Sequence, residues 1–184
     1  MQLSRKLQEI VDSNARDRRS LFDSVSGLSA SQLGYRPSDG EWSIEDILHH
    51  LAISDEANIK LASIMLRQAE EKNLPADPTP DESVLNSLDS LKEGLAQKVK
   101  APDRVAPRSH LPAAESLARL EASRTKLNDA IERLASYDLD QLRWPHPFLG
   151  DLNLYQWLMM AGRHESRHTA QIDRIKSAPE FPKA

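Results

Sequence analysis

The chain has 184 residues, of which 39% are hydrophobic and 28% charged, so we expect one soluble domain over residues 1–184 with an ordered part at about 3–177. The net charge of −4 argues against nucleic acid as a partner, and no run resembles an export signal or approaches the ~20 apolar residues that cross a membrane, so we expect a cytoplasmic protein. Because the sequence has no cysteine, any metal must be held by histidine and carboxylate side chains.

The first predicted helix spans Leu3 to Leu28, because apolar residues recur there at helical spacing along one face. Asn14 and Arg18 continue this face in its middle, where a plain core would carry leucine or isoleucine. Two interpretations remain open. Either the face looks onto a polar cavity halfway along the helix, or the register drifts and turns both side chains toward solvent.

The second predicted helix follows the connector Gly34–Gly40, whose glycines and proline break a helix. Ser43 is a suitable N-cap, and Asp46 stands at the third helical position, where its charge also favours the positive end of the helix. Apolar residues then recur at helical spacing to about Asn73, which predicts a long amphipathic helix.

This second helix carries two adjacent histidines. His50 lies beside the apolar stripe, in line with Ile47 and Ser54, and should point toward the protein interior. His49 is rotated by ~100° around the helix axis and is expected at the surface. His50 is therefore the candidate metal ligand of the pair.

The middle of the chain predicts two further helices, a shorter one at Asp81–Val99 and a longer one at Pro112–Ser136. Arg124 interrupts the apolar stripe of the longer helix, and it either extends to solvent at an edge or lines a pocket together with Asn14 and Arg18. No segment alternates with period two over enough residues to predict a sheet. The connectors, all of which contain proline, are Leu74–Pro80, Lys100–Leu111 and Tyr137–Gly150.

The last predicted helix, Asp151–Ser177, contains two histidines four residues apart, His164 and His168. At this spacing both rings lie on one helix face, which lets them bind the same metal ion. The apolar residues of the helix fall on the same stripe, so both rings should point inward, and a pair of hydrogen-bonded core histidines is the alternative. His146, between two prolines of the preceding connector, is either a packed loop histidine or a residue bordering the metal pocket.

The run His164–His168 also reads H-E-x-x-H, the zinc-binding motif of metalloproteases. The extended form of that motif is missing, since Gln171 stands where glycine would be and Arg174 where a third histidine would be. We therefore do not interpret the chain as a protease. Glu165 is then a general base, a residue that orients a ligand, or a solvated ion-pair partner.

The chain carries two separated motifs: GEWSIEDILHHL at Gly40–Leu51, and HPFLGDLNLYQWL at His146–Leu158 leading to HESRHTAQI at His164–Ile172. Both resemble motifs of the DinB-like superfamily of metal-binding four-helix bundles, in particular its YfiT-type branch. In that family a histidine followed by leucine, here His50, comes after the Trp-Ser start of the second helix, and the last helix supplies two histidines, here His164 and His168. The resemblance implies an all-α, up-down-down-up four-helix bundle, here with one shorter additional helix, and a divalent metal, often nickel or zinc.

The resemblance also implies a function: a metal-dependent hydrolase or thiol-dependent transferase that acts on a small-molecule substrate, the thiol being of low molecular weight. A homodimer is a candidate assembly. Three neutral imidazoles leave at least one coordination position of a metal open, which favours an enzyme. Two alternatives remain, a non-catalytic metal- or ligand-binding bundle and a structural dimerisation module with core histidines.

Overall fold

The computed structural model of the protein describes residues 3–91, 101–107 and 109–183. Within these ranges the chain is mainly helical, and none of its helices is long and apolar enough to cross a membrane. Two single turns of 3₁₀ helix lie at Asp89–Leu91 and Leu139–Gln141. The α-helices are α1 (Arg5–Val25), α2 (Ala30–Gly34), α3 (Ile44–Glu71), α4 (Ala113–Leu134) and α5 (Leu154–Lys176), and the strands are β1 (Arg143–His146) and β2 (Gly150–Asn153).

Side-chain contacts along the four long helices define their directions. Helices α1 and α5 are parallel, because Arg18 bonds to Glu165 and, further along both helices, the carbonyl of Ser24 accepts from Lys176. Helices α3 and α4 are also parallel, since Glu45 contacts the start of α4 and Glu70 contacts Arg133 near its end. Helix α3 is antiparallel to α5, since His50 contacts His164 while Asn58, further along α3, lines a small cavity with Trp157 near the start of α5. The predicted up-down-down-up bundle is confirmed.

Local signals at the helix starts agree with the sequence analysis. The Ser43 side chain accepts the backbone N–H of Asp46, and Asp46 accepts the N–H of Ser43, which completes a capping box at the start of α3. Asn153 and Gln156 form the same arrangement at the start of α5. This cap begins α5 three residues later than the predicted start at Asp151, because the residues before it form a strand.

The predicted helix at Asp81–Val99 is wrong over residues 81–91, where the chain forms turns and one 3₁₀ turn; residues 92–99 lie outside the described residues. Glu9 of α1 accepts hydrogen bonds from the Ser83 hydroxyl and the Val84 backbone N–H, at 2.8 and 2.9 Å. These bonds hold the segment against α1. Its backbone N–H groups at Ser87 and Leu91 bond to carbonyls three residues earlier, so the chain closes turns and not an α-helix. The shorter fifth helix of the fold is α2, which lies between the first predicted helix and the predicted connector and ends at Gly34.

The sequence analysis predicted no sheet, and this prediction is wrong, because the structure contains a small two-stranded sheet. Strands β1 and β2 pair as an antiparallel hairpin in which Arg143 is opposite Asn153 and His146 is opposite Gly150. Gly150 has a φ of +76°, a conformation that favours glycine at the turn. Four-residue strands that contain proline are too short to display a period of two, which explains the wrong prediction.

The apolar core of the bundle consists of two clusters with a polar layer between them. One cluster contains Leu7 and Leu127, and the other contains Leu21 and Leu120. The side chains between them come from all four long helices. We call this group the polar layer: Arg18, Asp55, Ser123, Arg124 and Glu165.

Close packing of α1 against α5 predicts that Gly162→Ala destabilises the fold. A Cβ at Gly162 would lie 2.5 Å from Asn14 Oδ1 and 3.0 Å from Asn14 Cα, so backbone would have to move. Overpacking of this kind costs about 1–3 kcal/mol of unfolding free energy. Gly34→Ala is the matched control, because its nearest heavy atom would be 4.0 Å away, and it should change stability by less than about 1 kcal/mol. Urea denaturation of both variants checks this, and equal stability would contradict it.

Candidate metal centre

The structure brings the three predicted ligands together between α3 and α5. His164 Nε2 lies 3.2 Å from His50 Nε2 and 3.1 Å from His168 Nε2. One ring nitrogen from each histidine lies within 4.8 Å of the others. Two nitrogens bound about 2.0 Å from a tetrahedral zinc ion are about 3.3 Å apart, so the observed separations suit such an ion.

His50 and His168 each have a hydrogen-bond partner at Nδ1. These partners determine that the lone pair of each ring is on Nε2, the nitrogen near the centre. His50 Nδ1 lies 2.8 Å from the carbonyl oxygen of Val105, and His168 Nδ1 lies 2.9 Å from Gln171 Oε1. Because a carbonyl oxygen only accepts, each neutral ring carries its proton on Nδ1 and presents an unprotonated Nε2. His164 can donate to only one of these two nitrogens, so three Nε2 atoms meet without enough protons to satisfy them. A divalent cation fits this donor set.

The environment of the rings favours the neutral form that binds metal. His50 is 3% exposed and His168 is 9% exposed. Burial is the largest cause that lowers the pKa of all three histidines, and neighbouring imidazoles add to its effect. The pKa of His164 is well below its usual value, and that of His168 is lowered to about 3. At neutral pH no proton has to be displaced from these rings before a metal binds.

Without bound metal, the protein is expected to lose stability as the pH falls below about 6.5. In the unfolded chain His168 takes up a proton near its ordinary pKa of 6.5, whereas in the folded protein its pKa is about 3. Between these values the unfolded state binds more protons and is favoured, by at most about 1.4 kcal/mol per pH unit for one histidine. Urea unfolding of metal-free wild type and His168→Leu at pH 7 and pH 5 should show a smaller loss in the variant. Equal losses would refute this assignment.

His49 is not at the surface, contrary to the sequence analysis. It is 8% exposed, and its Nδ1 has no hydrogen-bond partner among the described residues. Glu45 and Glu56 lie on the same side of α3 as His49, and they contact Ala113 and Arg119 at the beginning of α4. Packing of α4 on this side buries His49, which the period of α3 alone could not indicate. The ring does not join the three-histidine cluster.

Glu165 also departs from two of the roles considered for it. The residue is fully buried, and its two carboxylate oxygens accept from Arg18 and Arg124 within the polar layer. Burial raises the pKa of Glu165, and the bonds from the two arginines oppose that rise. Glu165 is thus neither a solvated ion-pair partner nor free to act as the base of an H-E-x-x-H protease. It balances the charge of two arginines inside the bundle.

Arg18 of α1 and Arg124 of α4 point into the bundle and not toward solvent. Arg18 is 7% exposed and donates to Asp55, Glu165 and the carbonyl of Leu120, which lie on three different helices. The Arg124 side chain is 13% exposed and donates to Glu165 at 2.7 Å. Both arginines are thus tied into ion pairs with carboxylates inside the bundle.

Sequence reasoning missed the residues that orient the ligands. Gln171 is three positions after His168, so helical spacing could have identified it as a partner. Val105 acts through its backbone carbonyl in a connector and leaves no signal in the sequence. The Trp42 ring, whose centroid is 4.9 Å from that of His50, covers the ligand on another side. These contacts hold the rings in place before any metal binds.

Comparisons with known proteins agree with the fold. Residues 14–172 match the family model of the DinB superfamily. The uncharacterized protein YuaE of Bacillus subtilis strain 168 is 29% identical over 164 residues, which cover 89% of this chain and 94% of YuaE. Among solved structures, TT2238, a four-helix bundle protein, is similar with a TM-score of 0.59, at 19% identity over 91% of this chain and 98% of TT2238.

A second similar structure is YfiT from Bacillus subtilis, described as a probable metal-dependent hydrolase with an unusual four-helix bundle topology. Its TM-score is 0.54 at 16% identity, and the match covers 96% of this chain and 89% of YfiT. At these identities both structures support the fold alone.

Proposed function

The chain belongs to the DinB superfamily, and on that premise we propose that it is a metal-dependent enzyme, a hydrolase acting on a small molecule through His50, His164 and His168. The observation that carries the proposal is the meeting of three Nε2 atoms, those of His50 and His168 lying 3.2 and 3.1 Å from that of His164. Among the described residues no fourth histidine, aspartate or glutamate joins this group. Catalytic metal sites keep such an open position, whereas structural sites are closed by a fourth protein ligand.

When bound there, a divalent ion would acidify a water or thiol at its open position toward a pKa of about 7. Residues of this chain would orient the ligands of that ion. Val105 and Gln171 keep the His50 and His168 protons on Nδ1, and Trp42 limits the movement of the His50 ring. The buried position of the rings keeps the imidazoles neutral and ready to bind.

Hydrolysis is the favoured reaction because YfiT is described as a probable metal-dependent hydrolase and shares the bundle topology. The alternative is a transferase in which a low-molecular-weight thiol takes the place of water, since the same open position suits either nucleophile. Imidazole ligands suit both zinc and nickel, so either ion is proposed as the cofactor.

Activity screening of the zinc-loaded and nickel-loaded protein tests the proposal. Ester and aryl-amide hydrolysis and the conjugation of cysteine to an electrophile cover the two reactions. We expect one of them to require metal, to stop after chelation, and to be absent in His50→Ala but present in His49→Ala. If the loaded protein retains its metal and shows no metal-dependent turnover in any assay, a non-catalytic binding bundle replaces the enzyme.

A further inference from the structure

The β1–β2 hairpin lies along the same face of α5 as the candidate metal ligands. Trp157 Nε1 donates to the carbonyl of Trp144 at 3.0 Å, and the His146 ring packs on the Trp157 ring with centroids 5.1 Å apart. Trp157 precedes His164 by seven residues, which is almost two full helical turns. Both side chains therefore leave α5 in nearly the same direction, and the hairpin borders the metal centre.

The connector at 101–107 links the hairpin to the other side of the centre. Its Val105 carbonyl bonds to His50, while its Arg104 lies close enough to His146 to lower the pKa of that imidazole, in addition to the larger effect of burial. The same connector thus approaches a metal ligand of α3 and the hairpin. His146 is also among the groups whose proximity lowers the pKa of His164.

The hydrogen bonding of His146 leaves its Nε2–H as a donor. The Phe148 backbone N–H donates to His146 Nδ1 at 3.3 Å, so the neutral ring carries its proton on Nε2. Pro145 and Pro147 restrict the backbone on either side. Within the described residues, no hydrogen bond is found for Nε2. A fixed N–H donor beside a metal centre is suited to an oxygen atom of a bound substrate.

Two exposed aromatic side chains belong to the same hairpin as this donor, and the Phe148 ring lies 6.1 Å from the His146 ring between centroids. Trp144 is 38% exposed and Phe148 is 46% exposed, and they are two of the three large hydrophobic side chains exposed in the described part of the chain. The cavity below Trp157, toward Asn58 and Leu127, measures about 10 Å³, which is the room of one water molecule. An apolar substrate group cannot enter the core there and would lie on the hairpin rings.

We infer that the hairpin is the substrate-recognition element of the metal centre. Trp144 and Phe148 bind an aromatic group of the substrate, and His146 donates through Nε2–H to an oxygen of its carbonyl group. The substrate class is then a small ester or amide with an aromatic substituent. This inference rests on the proposed function, because it requires a metal with an open position at the three histidines.

The experiment measures the binding of two hydroxamic acids to the zinc-loaded full chain by calorimetry. Both probes bind metal through oxygen atoms, but only benzohydroxamic acid carries an aromatic ring, while acetohydroxamic acid carries a methyl group. We expect the aromatic probe to bind about tenfold more tightly, and Phe148→Ala to remove most of that difference without changing the affinity for acetohydroxamic acid. His146→Phe keeps a ring on Trp157 but removes the N–H, and it should weaken both probes about fivefold or more.

Leu85→Ala is the matched control, because Leu85 is 40% exposed but lies in the segment 81–91, outside the hairpin; it should leave both affinities unchanged. Equal affinity for the two probes in wild type, with no effect of Phe148→Ala or His146→Phe, overturns the inference and leaves the proposed function standing. If neither probe binds although zinc is retained, the centre has no open position, and both the inference and the proposed function fail.

Discussion

The variant His50→Ala is expected to lose tight binding of zinc and nickel while remaining largely helical. Its Nε2 lies 3.2 Å from His164 Nε2, and its removal leaves two ligands from a single helix. Loss of an outer partner of a metal ligand costs about tenfold to a hundredfold in affinity, so loss of the ligand itself should cost at least about a thousandfold. The apolar clusters do not include the three rings, so the bundle should persist. Competition with a chromophoric chelator measures affinity, and circular dichroism measures helix content.

His49→Ala is the matched control for this prediction. The two histidines are adjacent, and both are buried, but only His50 belongs to the cluster. The control should retain one metal ion per chain with an affinity within about tenfold of wild type, the smaller effect expected for a group outside the ligand set. Full metal retention in His50→Ala, together with loss in His49→Ala, would mean that the ligand assignment is wrong.

Glu165→Ala is expected to be the most destabilising of the substitutions considered. It removes the carboxylate that pairs with both Arg18 and Arg124, and among the described residues it leaves Asp55 as the ion-pair partner of Arg18. Breaking a buried ion pair by removing one partner costs about 3–5 kcal/mol of unfolding free energy. Arg124 already has two buried N–H groups, Nε and Nη1, without a partner among the described residues, and its Nη2 bonds to Glu165. Removing Glu165 therefore takes away the hydrogen bond that this guanidinium makes in the polar layer. Guanidinium denaturation gives the free energy directly.

Asp173→Ala provides the comparison on the same helix. Asp173 is exposed and lies 3.8 Å from Lys176 in a surface ion pair, so its loss should change stability by less than about 1 kcal/mol. If Glu165→Ala is as stable as Asp173→Ala, the polar layer does not hold the bundle together. A Glu165 variant of unchanged stability that has lost all activity would instead restore the general-base interpretation.

Helical spacing and capping residues were sufficient to predict most of the bundle. The four long helices begin and end within three residues of their predicted limits, because apolar residues at three and four spacing must face a core whatever lies opposite. Spacing failed at residues 81–91. There Val84 and Leu88 are buried as their spacing suggested, but the backbone closes turns between residues three apart, and Glu9 of a distant helix accepts the Val84 N–H.

The candidate metal ligands could be selected from the sequence because their geometry is local. The four-residue step between His164 and His168 places both rings on one face of α5, and the phase of α3 directs His50 to the interior. The sequence alone therefore determined the four long helices, their phase at the three histidines and the residues able to reach one metal ion. These properties depend on residues separated by only a few positions.

Only the tertiary structure decided which polar side chains are buried and what they contact. Arg18 meets Asp55 and Glu165 across 37 and 147 positions of the chain, His49 is covered by α4, and Val105 orients His50 through a backbone carbonyl. The period of a helix gives a direction relative to its own axis, but the free energy of a buried charge or ring nitrogen depends on the groups opposite it. Those groups come from distant segments, and their position is determined only when the four helices pack together.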